Sequence, residues 1–427
     1  LTSWWDRFGD AELTRLVEQA CDSSLVLEEA RERIVGARAR RGIRHADRLP
    51  TLDGQGSYTR SQTGSDGFTL GGAPAGSEID VYSLGVVAGW EIDLWGRVGR
   101  LVQAADADIA IAIEDARAIR LSIASEVARE VILIRSIDRD VALIRAAIEN
   151  DEDILAIATS RAEAGFGDDL EVARARRDLE SNRALIPERA ADRRDAEFRL
   201  AILSGVAPGT IAVSEAAMPP LQSVPARGVP ADLLLRRPDL RRAERELAAS
   251  TARLGATMAE RYPRVSLSGS IALQGPSLDD TIRPESYVLS IGPSITLPIF
   301  EGGRIRSRIE EAASDERQAM LRLRASVIDA LGEVESASQR HDRSVERVAR
   351  LIASEGAAQE AESLATSRYA AGRIDFLDVT ESRRSRLTIE RTRVAAEREA
   401  LLRYIDLATS LGGGWDSGEA QVVSGAG

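Results

Sequence analysis

One short stretch occurs twice in this chain and constrains its fold more than any other feature. Residues 160–172 read SRAEAGFGDDLEV and residues 367–379 read SRYAAGRIDFLDV, at a constant offset of 207. In each copy a glycine ends one helical pattern and an aspartate precedes the next, which is typical of a tight turn between two helices. The sequence therefore predicts a duplicated unit that ends in a helical hairpin. The residues expected at the two tips are Gly165, Asp168, Leu170, Gly372 and Asp375.

The helices that lead to these tips are very long. From about Arg97 to Ala162, apolar residues recur with a helical period and proline is absent. Such a helix spans about 95 Å at 1.5 Å per residue, so we expect coiled-coil packing rather than a single globular core. Pro187 should kink or interrupt the helix that returns from the first tip. The other helices are expected at 10–20, 24–48, 170–203, 303–370 and 376–411.

Four further segments alternate between apolar and polar residues, as strands between two unlike environments do. They cover residues 52–61, 83–94, 265–273 and 287–299. A soluble sheet explains this alternation with one face on a protein core, and a membrane sheet explains it with one face in lipid. The long helices would run far past a small soluble sheet. In addition, the second and fourth segments carry about six apolar residues on one face, near the length that crosses a bilayer, so we favour the membrane.

A sheet in lipid cannot keep open edges, and four strands are too few to close into a barrel. A cyclic oligomer would have to supply the others. Three copies would provide twelve strands and twelve long helix passages. The predicted fold is therefore mainly α-helical with a membrane β-sheet, in a trimer that forms a 12-stranded β-barrel and a 12-helix α-barrel.

The composition and the reactive side chains give no sign of an enzyme or a cofactor. The net charge of −12 makes nucleic acid an unfavourable partner. Cys21 is the only cysteine, and we expect it to be a buried helix thiol. His45 and His341 have no second ligand at metal-binding spacing, so they are expected on helix surfaces or packed between helices. The arginine pairs at 236–237 and 383–384 are expected to be solvated helix charges.

The order of these elements resembles the outer-membrane factor family, the TolC-like and OprM-like exit ducts of Gram-negative bacteria. It is most similar to the lipoprotein subgroup that serves resistance-nodulation-division pumps. The resemblance covers nearly the whole chain, and the run LLLRRPDLRRAE is its most specific part. The stretches that carry it are Trp4–Ala20, Val229–Glu244, Thr296–Ser307 and Arg368–Val379.

The resemblance implies a homotrimer in the outer membrane that extends into the periplasm. Its partners would be outer-membrane lipid, a periplasmic adaptor that contacts the helical tips, and an inner-membrane pump of the resistance-nodulation-division class. It also implies a lipid anchor on an N-terminal cysteine, which we expect upstream of Leu1. Two alternatives stay open at this point: a duct for type I protein secretion, and a soluble coiled-coil scaffold.

The resemblance also implies a gate at the periplasmic mouth, just past the second tip. The matching positions are Leu377, Asp378 and Glu381, although the family has an aspartate where Glu381 stands. Their spacing of three and four residues places them on one face of a helix. The equivalent of Glu381 in the first repeat is Arg174, which would supply a compensating charge if the hairpins pack side by side.

These expectations divide the chain into eight segments. They are the N-terminal helices with an equatorial segment (1–50), membrane strands 1 and 2 (51–96), the first long hairpin (97–204), a Pro-rich equatorial connector (205–240), the helix of the second repeat (241–263), membrane strands 3 and 4 (264–300), the second long hairpin (301–412) and a tail (413–427).

Overall fold

The computed structural model describes residues 4–62, 78–222, 236–371 and 373–413. The expected tip residue Gly372, residues 223–235 of the connector segment and the tail beyond 413 lie outside these ranges. The helices are α1 (Ala11–Ser23), α2 (Leu25–Ala46), α3 (Arg97–Glu163), α4 (Asp169–Leu203), α5 (Pro238–Ala259), α6 (Leu278–Thr281), α7 (Arg304–Ala370) and α8 (Phe376–Ser410). The strands are β1 (Thr51–Gln62), β2 (Glu78–Ile92), β3 (Arg264–Gly275) and β4 (Tyr287–Thr296).

The bounds of these elements confirm the predicted duplication. Helices α7 and α8 have the lengths of α3 and α4, 67 and 35 residues, and are shifted from them by 207 positions. Helix α5 and strand β3 repeat α2 and β1 with a shift of 213 positions. The chain is thus built from two copies of one unit, in which a helix and two strands precede a long hairpin.

Two details of the predicted elements differ from the structure. Helix α4 continues through Pro187, so the predicted interruption is wrong. Strand β4 ends at Thr296, although the apolar alternation extends to Ile299. The ladder ends there because Thr296 pairs with Arg264, the first residue of β3. The two apolar residues past the strand end, Leu297 and Ile299, are 52% and 92% exposed.

The contacts of the chain divide it into two compact units of discontinuous segments. The first unit contains Leu1–Glu32, Glu114–Arg241 and Arg324–Gly427, and the second contains Arg33–Ile113 and Arg242–Leu323. The first unit is therefore helical. The second holds the sheet with the helix segments that adjoin it.

The core of the first unit is rich in aromatic side chains from both ends of the chain. Trp4 and Phe8 meet edge to face with their ring centroids 6.1 Å apart, and Phe8 meets Tyr404 in the same way at 5.4 Å. Cys21 is 3% exposed in the same cluster, which confirms the predicted buried thiol. Fully burying a large apolar side chain stabilises a fold by about 1.5–3 kcal/mol, so this cluster anchors the N-terminal segment.

One predicted surface charge in this unit is in fact buried. Arg237 is 8% exposed, and its guanidinium donates to the Ser410 carbonyl at 2.8 Å, at the end of α8. It also donates to Asp239 at 3.0 and 2.8 Å and to Glu333 at 2.6 Å. The prediction of a solvated charge was wrong because sequence spacing does not show that the start of α5 lies against the end of α8.

The second unit contains a four-stranded antiparallel sheet in the order β1-β2-β3-β4. Residues that lie opposite one another in antiparallel strands point to the same face. Tyr82 lies opposite both Tyr58 and Gly275, and Ile271 lies opposite both Val86 and Leu289. The predicted apolar sides of all four strands therefore fall on one side of the sheet, which we call the apolar face. Its large members are Leu52, Tyr58, Tyr82, Leu84, Val86, Trp90, Ile92, Val265, Leu267, Ile271, Leu273, Tyr287, Leu289, Ile291 and Ile295.

The opposite side of the sheet, the polar face, carries mostly hydroxyl, amide and carboxyl side chains, among them Ser83, Ser268 and Ser290. The apolar face is exposed in the single chain: Leu52, Leu289 and Ile291 are 74%, 65% and 74% exposed. An apolar surface of this extent marks a site of contact with another protein or with a membrane. None of the helices in the described part of the chain is long and apolar enough to cross a membrane.

Candidate functional site

The first hairpin tip has the geometry that its sequence predicts. Gly165 adopts a positive φ of 74°, which L residues with a side chain rarely take. The Phe166 N–H donates to the Arg161 carbonyl at 2.9 Å and the Gly165 N–H to the Ala162 carbonyl at 3.0 Å, as in a Schellman motif. Asp168 then accepts from the Leu170 N–H at 3.1 Å and caps α4.

The second tip repeats one of these backbone contacts but not the side-chain cap. The Arg373 N–H donates to the Arg368 carbonyl at 2.9 Å, which matches the bond made by Phe166 in the first tip. Asp375 occupies the N-cap position of α8, but its side chain makes no capping hydrogen bond. The Asp375 carbonyl instead accepts from the Asp378 N–H at 3.2 Å. Asp375 thus lies at the predicted N-cap position, but the predicted capping hydrogen bond of its side chain is not formed.

The ends of the two hairpins pack against each other. The Arg161 guanidinium lies over the Tyr369 ring, 5.4 Å from its centroid. The Tyr369 ring lies 5.9 Å from the Phe376 ring, and Phe376 is buried with Ile154 and Ala175. A cation over an aromatic face contributes about 0.5–1 kcal/mol at an exposed site. These contacts join the two tips into one end of the helical unit.

The three predicted gate residues lie on the exposed side of the first turns of α8. Leu377 is 54% exposed, Asp378 is exposed, and the Glu381 side chain is 69% exposed. The opposite side of the same turns is buried through Phe376 and Val379. The structure therefore brings the three side chains onto one surface that carries two carboxylates and a leucine.

An ion-pair network connects this surface to helix α4. A Glu381 carboxylate oxygen lies 3.6 Å from the Arg384 guanidinium, and Arg384 donates to both carboxylate oxygens of Asp178 at 3.1 Å. Arg177 also donates to Asp178, at 2.9 and 2.7 Å. Within the described residues, Glu381 is paired with Arg384, and the predicted counter-charge Arg174 makes no ion pair.

A polar cavity of about 210 Å³ lies next to this network, between α3, α4 and α8. Asp151 lines it and accepts from the Asn182 amide at 2.7 Å. Burial raises the pKa of Asp151, although the Asn182 hydrogen bond opposes this shift. Across the described residues, no three histidine, cysteine or acidic side chains come together as a metal site. The ion pairs of this region connect α4 to α8. The carboxylates of Asp378 and Glu381 lie on an exposed surface, where they can attract cations.

Comparison with known proteins identifies the architecture. The sequence profile described as outer membrane efflux protein matches residues 16–206 and 229–413, one region in each half of the chain. The chain belongs to the outer membrane efflux protein family. This result confirms the resemblance drawn from the sequence, and it places the protein in the outer membrane.

The efflux protein has relatives along almost its whole length. It is 31% identical over 428 residues to outer membrane protein OprJ of Pseudomonas aeruginosa, covering 98% of this chain and 88% of OprJ. It is 30% identical over 414 residues to the solvent efflux pump outer membrane protein SrpC of Pseudomonas putida, covering 96% and 86%. The solved outer-membrane channel OprN has a TM-score of 0.89 at 31% identity, covering 97% of this chain and 93% of that chain. The long hairpins with four strands are thus the fold of an outer-membrane channel.

The roles of two residues at the tip end of the efflux protein, Arg384 and Asp178, were not predicted from the sequence. Arg384 is exposed, as predicted, and it also bridges Glu381 and Asp178, which was not predicted. Its equivalent in the first repeat is Arg177, so both copies of this arginine converge on Asp178. The repeat offset could have pointed to this pair. No sequence signal locates Asp178 as their shared partner, because that contact depends on how α4 packs on α8.

Proposed function

We propose that this efflux protein is the trimeric outer-membrane exit duct of a tripartite efflux system. It would conduct small molecules passively after an inner-membrane pump of the resistance-nodulation-division class and a periplasmic adaptor hand them over. The observation that carries this proposal is the sheet, whose four strands share one exposed apolar face in a member of an outer-membrane efflux family. The names of OprJ and SrpC, which describe an outer membrane protein and a solvent efflux pump component, support it.

The edges of the sheet support three copies rather than one. Strands β1 and β4 are the outer strands in the order β1-β2-β3-β4, and each has one unpaired edge. Unpaired backbone groups in lipid cost several kcal/mol each, so both edges must find partners. Pairing β4 of one copy with β1 of the next closes the ring, and three copies give a barrel of twelve strands. The apolar face would then contact outer-membrane lipid and the polar face would line the duct.

The same threefold axis turns the exposed surface of α8 into a gate. Leu377, Asp378 and Glu381 would each form a ring of three side chains at the periplasmic mouth. The two acidic rings favour cations and repel one another, so closure needs support from outside the pore. The bridge from Glu381 through Arg384 to Asp178 is well placed to give it, since it ties the gate helix to α4.

The two tips are the proposed contact site for the adaptor. Phe166 and Leu170 of the first tip are 80% and 50% exposed, which leaves apolar side chains at the end of the hairpin. A partner that engages them would act on the hairpin whose end contacts Tyr369 and, through it, the start of α8. Adaptor binding at the tips would thereby change the position of the gate residues at the start of α8.

Native mass spectrometry of the protein extracted in mild detergent tests the assembly. A mass of three chains is expected, together with precipitation when the detergent is removed. A monomer that stays soluble without detergent would overturn the proposal and favour the coiled-coil scaffold.

A further inference from the structure

The loop between β3 and β4 is a rigid turn at the outer end of the sheet. Strands β1 and β2 join helices at Thr51 and Ile92, so the β3–β4 connection lies at the end of the sheet away from those helices. Ser277 caps α6 by accepting from the Asp280 N–H at 3.2 Å, and the Thr281 hydroxyl donates to the Ser277 carbonyl at 2.7 Å. The Ser286 hydroxyl donates to the Asp280 carbonyl at 2.6 Å. These bonds connect the two ends of the turn and hold it compact.

The register shows on which side of the sheet this turn lies. Gly275 is opposite Tyr82 and therefore belongs to the apolar face. A Cβ atom added to Gly275 would lie 2.7 Å from the Thr281 nitrogen, closer than any real contact. Thr281 is buried although it lies in a loop. The turn thus folds over the apolar face, in the space that the missing side chain of Gly275 leaves.

The turn exposes two large aliphatic side chains. Leu278 and Ile282 are four residues apart, and they are 62% and 70% exposed. They stand at the same end of the sheet as Tyr58 and Tyr82, whose rings lie 4.7 Å apart on the apolar face. Tyrosines at one level of a membrane sheet are typical of the boundary between lipid and water. The two aliphatic side chains add apolar surface at this boundary.

We propose that Leu278 and Ile282 form a lipid anchor that inserts into the outer leaflet of the membrane around the duct. A loop that closed the outer mouth of the duct would have to cross the polar face, whereas this turn lies over the apolar one. The exposed side chains would therefore contact lipid acyl chains and would not line the pore. This inference rests on the proposed function, because it needs the apolar face to be in lipid.

Site-directed spin labelling in vesicles tests the anchor. Cys21 is first replaced by serine. Single cysteines are then introduced at 278, 282 or 279 and labelled with a nitroxide. The collision rates of the nitroxide with oxygen and with a water-soluble nickel chelate are measured. Labels at 289 and 290 serve as the lipid and water references, because Leu289 and Ser290 lie on opposite faces of β4. Leu278→Cys and Ile282→Cys should resemble 289, with high oxygen and low nickel accessibility, while Asp279→Cys should resemble 290.

Two results would overturn the proposal in distinguishable ways. If 289 and 290 differ as expected but 278 and 282 are as accessible to nickel as 290, the anchor is wrong and the duct stands. If 289 itself is accessible to nickel, the sheet is not in lipid, and the proposed function fails together with the anchor.

Discussion

Arg237 is the side chain whose surroundings differ most from what its sequence context indicates. Burial alone would lower the pKa of this arginine, but hydrogen bonds to Asp239 and Glu333 raise it above the ordinary value. The guanidinium therefore stays charged while it binds the carbonyl of Ser410. Its four donated bonds join the first turn of α5 to α7 and to the end of α8. A neutral replacement would leave the Ser410 carbonyl and the two carboxylates without these donors.

Arg237→Met should therefore lower the melting temperature of the detergent-extracted protein by several degrees. A lost hydrogen bond to a charged group costs about 1.5–3 kcal/mol, and the loss falls mainly on the Ser410 carbonyl, because Asp239 and Glu333 are 51% and 58% exposed and water can solvate them. Arg245→Met, at an exposed position of the same helix, is the matched control and should change little. Equal melting temperatures for the two variants would show that the Arg237 contacts do not stabilise the fold.

His341 should make the stability of the helical unit fall as the pH is lowered. Burial lowers the pKa of His341 below its ordinary value of 6.5, and the neighbouring Asp342 opposes this shift. The unfolded chain therefore binds a proton at a higher pH than the folded one. Stability from the neutral histidine is present above the unfolded pKa and is lost as the pH falls towards the folded pKa.

The melting temperature should consequently fall as the pH is lowered below about 6.5, where an unperturbed histidine titrates. His341→Gln removes the titrating group and should reduce this dependence, whereas His45→Gln should leave it unchanged. A slope that is the same for the wild type and His341→Gln would mean that other groups cause it.

At the scale of secondary-structure elements, much could be predicted from the sequence because the repeat and the period-two alternation are local patterns. The four strands and their shared apolar face followed from alternation alone, and the two hairpins followed from a glycine and an aspartate at a fixed offset. What could not be predicted depends on contacts between distant segments. The burial of Arg237 against Ser410 and the convergence of Arg177 and Arg384 on Asp178 are of this kind.

Within the sheet, neighbouring residues of β4 should respond differently to the same change. Leu289→Arg places a charge on the apolar face, where arginine at mid-depth of a bilayer costs about 2–4 kcal/mol. Ser290→Arg places it on the polar face, where water solvates it. The amount of heat-resistant oligomer in outer-membrane fractions should fall for Leu289→Arg and stay near the wild-type level for Ser290→Arg.

This pair of variants is its own control, since the introduced arginine and the strand are the same. Equal losses of membrane-assembled protein would contradict the assignment of the two faces.

For the whole molecule, we predict that three chains share one axis and that the tip end of the helical unit restricts flow along it. The duct needs the apolar face in lipid, both edges of the sheet paired between copies, and the exposed surface of α8 directed at the axis. Each of these features belongs to an assembly and not to a single chain. The alternating strands indicated the lipid-facing sheet and its closure between copies, whereas the direction of the α8 surface came only from the resemblance. A pattern along one chain does not show which helix face lies across a symmetry axis.

Single-channel recording in planar lipid bilayers tests this central claim most directly. The wild-type protein should conduct weakly and favour cations, because the proposed gate would narrow the mouth and line it with the carboxylates of Asp378 and Glu381. The double variant Asp378→Ala/Glu381→Ala should show a larger conductance and a weaker cation preference, while the charge-matched control Glu335→Ala/Glu346→Ala, on the exposed surface of α7, should behave like the wild type. Conductance and selectivity that are the same in all three proteins would place the constriction elsewhere and contradict the gate, and the absence of any channel would contradict the duct itself.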